Sequence, residues 1–221
     1  MTLHQTSGSA PKNSWELEIK LTAQTDEQLA AILNDPQIIT TRISQIPIDK
    51  LRMVATYLDT PTSELWQQHQ VAFRIRQEGN RWRAGIKERV QVVAGVGMRQ
   101  ELEQDVSGPL KKVAQLPQGE LKNRLATLID PQQTLQPLMI TDVVRQIVQL
   151  QLASATKIEL VLDQGVLQAG GRIKKICEAE LELVSGEADH LRSFAQQLVA
   201  RHNLNWVDDS KFAVGLELLK N

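Results

Sequence analysis

Apolar and charged residues alternate with period two along much of the chain. From Trp15 to Leu21 the apolar residues hold the odd positions, and Glu16, Glu18 and Lys20 hold the even ones. On a β-strand these sets face opposite ways. Arg74 and Arg76 share one face of Val71–Arg76, and Arg83 and Lys87 alternate with Trp82, Ala84 and Ile86. Glu101, Glu103 and Asp105 oppose Leu102 and Val106. Lys157, Glu159 and Asp163 oppose Ile158, Leu160 and Leu162, and Glu178, Glu180 and Glu182 oppose Cys177, Ala179, Leu181 and Leu183. Two further strands are expected at 51–58 and 143–152, the second carrying Arg145.

Helical patterns are fewer. Thr25 and Gln28 frame a capping box before Leu29, Ile32 and Leu33, and Pro36 is expected to stop that helix. Short helices are expected at 63–69, 110–116 and 120–129, with a last one capped by Ser210 and carrying Lys211. The clearest is 187–202, where Leu191, Phe194, Ala195 and Leu198 fall on one stripe. The first strands follow one another without crossover helices. This predicts an antiparallel sheet of roughly eight strands, a number at which closure into a barrel is practical.

An antiparallel sheet with one wet face shows the same alternation. Two details point instead to charged faces gathered inside. The polar positions are mostly Glu, Arg and Lys, and the signs are sorted by strand: the 71–99 stretch is basic, whereas 178–189 holds acids with no Lys or Arg. A solvated face would more often alternate signs across strands. Helices covering the apolar faces from outside would leave a barrel with a polar lumen.

Composition narrows the function. The 221 residues carry a formal net charge of −1, so no global basicity attracts nucleic acid or anionic membranes. Aromatics are 4% of the chain, which argues against a single-strand stacking platform. One cysteine excludes an intrachain disulfide, no apolar run reaches membrane-spanning length, and the polar 1–14 segment reads as a disordered leader. The expectation is a soluble cytoplasmic domain over 15–219, with no partner protein implied. The sequence contains no P-loop, and Gly95-Val-Gly97 reads as a hairpin.

Paired carboxylates at Glu16/Glu18 and Glu178/Glu180 supply hard oxygen ligands suited to Mg²⁺ or Mn²⁺. Lys20, Arg74, Arg76 and Lys87 supply cations for phosphoryl oxygens. Together they are the apparatus for binding a polyphosphate.

Glu16-x-Glu18-x-Lys20 resembles the signature of the CYTH superfamily, the triphosphate tunnel metalloenzymes. The remaining motifs follow in order: Tyr57-Leu-Asp-Thr-Pro61, Phe73-Arg-Ile-Arg76, Lys87, Arg99 through Glu103, Leu162-Asp-Gln-Gly165, Cys177-Glu-Ala-Glu-Leu-Glu182 and Ser210-Lys211-Phe-Ala-x-Gly215. The similarity is greatest to bacterial inorganic triphosphatases. It implies an α+β fold, an eight-stranded antiparallel β tunnel with a charged lumen flanked by helices. It also implies metal-dependent hydrolysis of inorganic triphosphate to pyrophosphate and phosphate. An organic triphosphate as substrate, in thiamine triphosphatase or adenylate cyclase fashion, and a non-catalytic polyphosphate or nucleotide sensor remain the alternatives.

By resemblance, Glu16, Glu18, Asp163, Glu178 and Glu180 are metal ligands, and Lys20, Arg74, Arg76, Lys87, Arg145 and Lys211 bind the triphosphate. Glu101 or Glu103 is expected close to the water nucleophile, one of the two orienting or deprotonating it. Glu182 is a third carboxylate without an assigned role. Val214 departs from an arginine common in the last motif, and Arg52 is expected to compensate in part. Longer relatives carry a second, histidine-rich helical domain, which this sequence is expected to lack. The low aromatic content of the lumen strands favours an inorganic substrate, and Trp66 reads as a packing residue.

Overall fold

The structure is a computed structural model that describes residues 12–44, 48–93, 96–152 and 155–220. Most of the expected leader and part of the Gly95-Val-Gly97 hairpin lie outside these residues, as do the Trp15 and Arg99 side chains.

Among the described residues, nine strands form one antiparallel sheet: β1 (Lys12–Thr22), β2 (Leu51–Asp59), β3 (Val71–Glu78), β4 (Arg81–Val93), β5 (Val96–Val106), β6 (Gln136–Gln151), β7 (Lys157–Ala169), β8 (Arg172–Ser185) and β9 (Asn205–Trp206). Hydrogen-bonded neighbours run β5-β4-β3-β2-β6-β7-β8-β1-β9. β1 is shared between two partners, pairing with β5 from Lys12 to Glu18 and with β8 from Glu18 to Thr22. The pairing thus passes through eight strands and returns to β1. The ninth strand, against roughly eight expected, is a two-residue addition on β1 at Leu21 and Thr22, where the loop before the last helix touches that edge.

The helices are α1 (Asp26–Ala31), α2 (Pro36–Thr41), α3 (Glu64–His69), α4 (Glu120–Ala126), α5 (Ala188–His202) and α6 (Lys211–Lys220). Thr25 caps α1, but Pro36 does more than end it. A 3-10 turn follows α1, and Asp35 then caps a new helix with Pro36 at its first position, where the missing N–H costs nothing. The 110–116 segment contains only a 3-10 turn at Val113–Gln115, since a single turn closes before Pro117.

Among the described residues, three apolar clusters form the core. On the outer face, Ile19, Leu21, Leu160, Ala179 and Leu181 pack beneath α1, α2 and α5, with Leu17 against their edge. Also outside, Phe73, Ile75, Ala84, Ile86 and Leu102 meet Leu121 and Leu125 of α4. Phe73 and Ile75 are therefore outward and helix-covered, as their alternation predicts. The third cluster lies on the inner face, where Met53, Ala55, Tyr57, Met139, Val143, Leu167 and Ile176 are covered by Phe212 and its α6 neighbours. One part of the inner face is thus apolar and filled by α6, and the rest is charged. Val214 belongs to this apolar packing. Arg52 points outward and pairs with Asp142 at 2.6 Å, so it does not compensate at the site; even positions of β2 face away from the interior.

Gly165 permits this geometry. A Cβ there would overlap the Asp142 carbonyl across the β6–β7 pair, so no side chain fits. Among the described residues no helix is long and apolar enough to cross a membrane.

Candidate active site

The charged residues of β1, β3, β4, β5, β6 and β8 converge on a cavity of about 210 Å³. Its lining includes Lys20, Arg74, Arg76, Arg83, Lys87, Arg145 and Lys211 among the bases, and Glu16, Glu101, Glu103, Glu180 and Glu182 among the acids. Register explains the convergence. Across β1–β8, Glu18 stands opposite Glu182 and Lys20 opposite Glu180. Across β3–β4–β5, Arg74 stands opposite Gly85, and Gly85 opposite Glu103. With no side chain at Gly85, Arg74 Nη2 reaches over it to Glu103 Oε1 at 3.2 Å; an added Cβ would lie 3.0 Å from Glu103 Cγ.

One wall is a clamp of bases on two carboxylates. Glu103 accepts from Arg74 at 3.2 Å, from Arg83 at 3.1 Å and from Arg76 at 3.5 Å. Glu101 lies 2.8 Å from Arg74 and 3.3 Å from Lys87. Burial alone would raise the Glu101 pKa, but Lys87, Arg74 and a hydrogen bond with Glu16 hold it well below the usual carboxylate range. Burial opposes the charge of Arg74 as well, yet Glu101, Tyr57 and Glu103 keep its pKa well above the ordinary value. Arg76 is instead pushed down, by burial and by neighbouring Arg74, a sign of crowded positive charge.

A second knot joins β6, β7, β8 and α6. Arg145 binds Asp163 in a bidentate fork at 2.7 and 2.6 Å. Lys211 reaches Asp163, Glu178 and Glu180 at 2.9, 2.6 and 2.9 Å. Its position depends on the α6 start, where Ser210 Oγ accepts from the Ala213 N–H. Burial opposes the Lys211 charge, but the three carboxylates raise its pKa well above normal. Burial would raise Glu180, yet Lys20, Lys211 and Arg145 hold it well below the usual range.

Between the two knots, Glu18, Glu180 and Glu182 bring one carboxylate oxygen each within 4.8 Å of one another. Glu18 is 2% exposed, with Lys20 Nζ at 3.7 Å. Burial, Glu180 and Glu16 push the Glu182 carboxyl up to about 7. Bases and acids balance along the lining, while buried Glu18, Asp163 and Glu178 add negative charge behind it. This donor set of hard oxygens with excess negative charge could hold a divalent cation.

All thirteen residues singled out in the sequence lie in or directly behind this cavity. Their company differs from their pattern. Of the five carboxylates matched to metal ligands, Glu18 and Glu180 meet in the acidic cluster. Glu16 sits 3.7 Å from Lys87, and Asp163 and Glu178 face Lys211. Glu182, left without a role, completes the cluster; its place on the Glu178-Glu180-Glu182 face was the available signal. Arg83 also belongs to the base wall.

The lining also contains Tyr57, Trp66 and Phe212, with ring centroids 5.3 Å apart for Tyr57–Phe212 and 5.1 Å for Trp66–Phe212. Only Tyr57 of the three is carried by a strand, as the low aromatic content of the strands implies, and Trp66 packs on Phe212. Trp66 and Phe212 come from α3 and α6, which counting residues on the lumen strands overlooks. Cys177 is buried in the outer cluster, where its thiol donates to the Thr25 carbonyl and burial raises its pKa to about 11.

This chain belongs to the CYTH domain family, whose sequence profile matches residues 15–214. It is 31% identical over 156 residues to an inorganic triphosphatase from Haemophilus influenzae, a match covering 71% of this chain and 43% of that protein. The chain thus spans less than half the length of that curated relative. Its fold is similar to that of a Hippeastrum protein described as an adenylyl cyclase candidate with a dominant triphosphatase activity (TM-score 0.68, 16% identity, 92% of this chain and 96% of that one). It is also similar to a Bacillus halodurans protein named for adenylate cyclase (TM-score 0.61, 18% identity, 90% and 95% covered).

Proposed function

We propose that this chain is a metal-dependent triphosphatase that hydrolyses inorganic triphosphate to pyrophosphate and phosphate within a charged β tunnel. The observation that carries this reading is the cavity's polarity. Arg74, Arg76, Arg83 and Lys87 line the same cavity as Glu180 and Glu182, with Glu18 closing the acidic cluster behind them. The wall matches phosphoryl oxygens, and the cluster suits Mg²⁺ or Mn²⁺. The 31%-identical inorganic triphosphatase supports the same substrate.

Glu18, Glu180 and Glu182 would hold the cation, with Glu16 beside them; bound there, it would neutralise phosphoryl oxygens. The arginines and Lys87 orient the phosphate chain, and their planar forks stabilise charge on its equatorial oxygens. Lys20, Arg145 and Lys211 extend the cationic surface toward α6. Asp163 and Glu178 act by fixing Lys211, and Asp163 also fixes Arg145, rather than by touching substrate. Glu101 and Glu103 hold the base wall in place before substrate arrives. Lys87 and Arg74 hold the Glu101 carboxyl well below the usual range, which makes it a weak base, so its part in orienting water is secondary.

The aromatic group of Tyr57, Trp66 and Phe212 favours a second reading, in which an organic triphosphate places its planar group against that wall. Phosphate release from inorganic triphosphate and from ATP, with and without Mg²⁺, tests both. Faster, Mg²⁺-dependent release from inorganic triphosphate supports the first. Preference for ATP supports the second. No release from any triphosphate despite binding would make the chain a sensor and end the triphosphatase reading.

A further inference from the structure

The cavity has two ends of different character. At one, the loops and helices α3 and α6 gather, with Gln70 and Asp208 exposed at the lining. At the other lie the first residues of β4 and β7 and the last residues of β3 and β8, and Ile147 in the lining is 44% exposed. The bases at this second end are occupied: Arg76 by Glu78 and Glu103, Arg83 by Glu103 and Asp105, and Arg81 by Asp105. Glu159 and Glu182 are not. They line the cavity, form no ion pair with any base among the described residues, and stand directly opposite each other across β7–β8. Like charges in that relation destabilise a sheet. Glu159 is half-buried, and among the described residues its hydrogen bond is from Gln149 Nε2 at 3.2 Å.

We propose that Glu159 is the port through which the divalent cation enters. It draws the ion to the Ile147 end and passes it to Glu182, which already belongs to the inner cluster. This rests on the reading of Glu18, Glu180 and Glu182 as the metal site. Inner-sphere binding follows an outer-sphere encounter, so a charge at the mouth enters the rate through that encounter. A port changes entry and exit alike, whereas a ligand changes affinity.

The test uses the metal-free protein and Mn²⁺. The EPR signal of free Mn²⁺ gives Kd, trapping by excess chelator in a stopped-flow instrument gives the off-rate, and their quotient gives the on-rate. Glu159→Gln should lower both rates about three- to tenfold at low salt while leaving Kd within about threefold. Raising the ionic strength should narrow the gap from wild type. Glu182→Gln should raise Kd by about tenfold or more. An unchanged on-rate in Glu159→Gln overturns the port, and so does a rise in Kd equal to that of Glu182→Gln. Unchanged Mn²⁺ affinity in both Glu18→Gln and Glu182→Gln would instead remove the metal site on which the port depends.

Discussion

Glu103 offers the sharpest test of how the base wall works. Its carboxylate accepts from Arg74 at 3.2 Å and from Arg83 at 3.1 Å, lies 3.2 Å from Arg76 Nη2, and is 5% exposed. Glu103→Gln keeps the volume but removes the charge that holds three guanidiniums together. Removing one partner of a buried ionic group typically costs about 3–5 kcal/mol. Arg76, already pushed down by burial and by Arg74, should bear much of that strain. The metal-free variant should therefore unfold in urea with about 3 kcal/mol less stability. Inorganic triphosphate carries the negative charge the wall has lost. Its addition should raise the melting temperature of Glu103→Gln more than that of wild type, and calorimetry should show it bound at least about tenfold more tightly without metal, as expected for about 1.4 kcal/mol of relieved repulsion. A Glu103 acting as general base predicts something else: wild-type stability, unchanged triphosphate affinity and a large fall in kcat alone. That pattern would refute the clamp.

Gly85→Ala should act on the same wall by sterics. Its Cβ would stand 3.0 Å from Glu103 Cγ, so Glu103 must shift, with an overpacking cost of about 1–3 kcal/mol and a loss in kcat/KM of up to about a hundredfold; wild-type kinetics would show that the Arg74–Glu103 contact over Gly85 is dispensable. Away from the cavity, Asp35 caps α2 through the Gln37 N–H at 2.8 Å and binds Arg201 and His202 of α5 at 2.7 and 2.8 Å. Asp35→Ala should cost about 2–3 kcal/mol at pH 7, read by urea unfolding, from a lost cap and lost charged hydrogen bonds, with partly exposed Arg201 contributing less. Burial raises the Asp35 pKa, but Arg201, His202 and the Gln37 N–H lower it further, for a net depression. Its contribution is therefore present above the ordinary aspartate pKa and fades as pH falls through the lower folded value, so the two proteins should converge in acid. A gap that widens in acid would show that Asp35 is held by something other than these partners.

Much of the site could be read from the sequence because strand geometry is local. A period of two fixes which side chains share a face before anything is known of the partner strands. Glu16, Glu18, Lys20, Arg74, Arg76, Glu101 and Glu103 therefore fall on the interior side as their spacing predicts. The outward turn of Phe73 and Ile75 follows from the same rule, and so does the α5 stripe of Leu191, Phe194, Ala195 and Leu198.

Tertiary structure decided what those charges do to one another. Whether a carboxylate is free for a cation depends on which base lies within a few ångströms. Cross-strand register and helix placement set that, and these are contacts between residues far apart in the chain. Asp163 and Glu178 lie against Lys211 because α6 returns to the sheet, whereas Glu182 meets Glu18 because β8 pairs with β1 in one particular register. Arg52 left the site because its position on β2 faces solvent. Trp66 and Phe212 entered it because two helices bring them to the cavity, and no alternation along a strand can report a ring carried by a helix. The sequence by itself determined the faces and the chemistry gathered on them. The fold alone decided the pairings, because the energy of a buried charge is set by neighbours that only folding supplies.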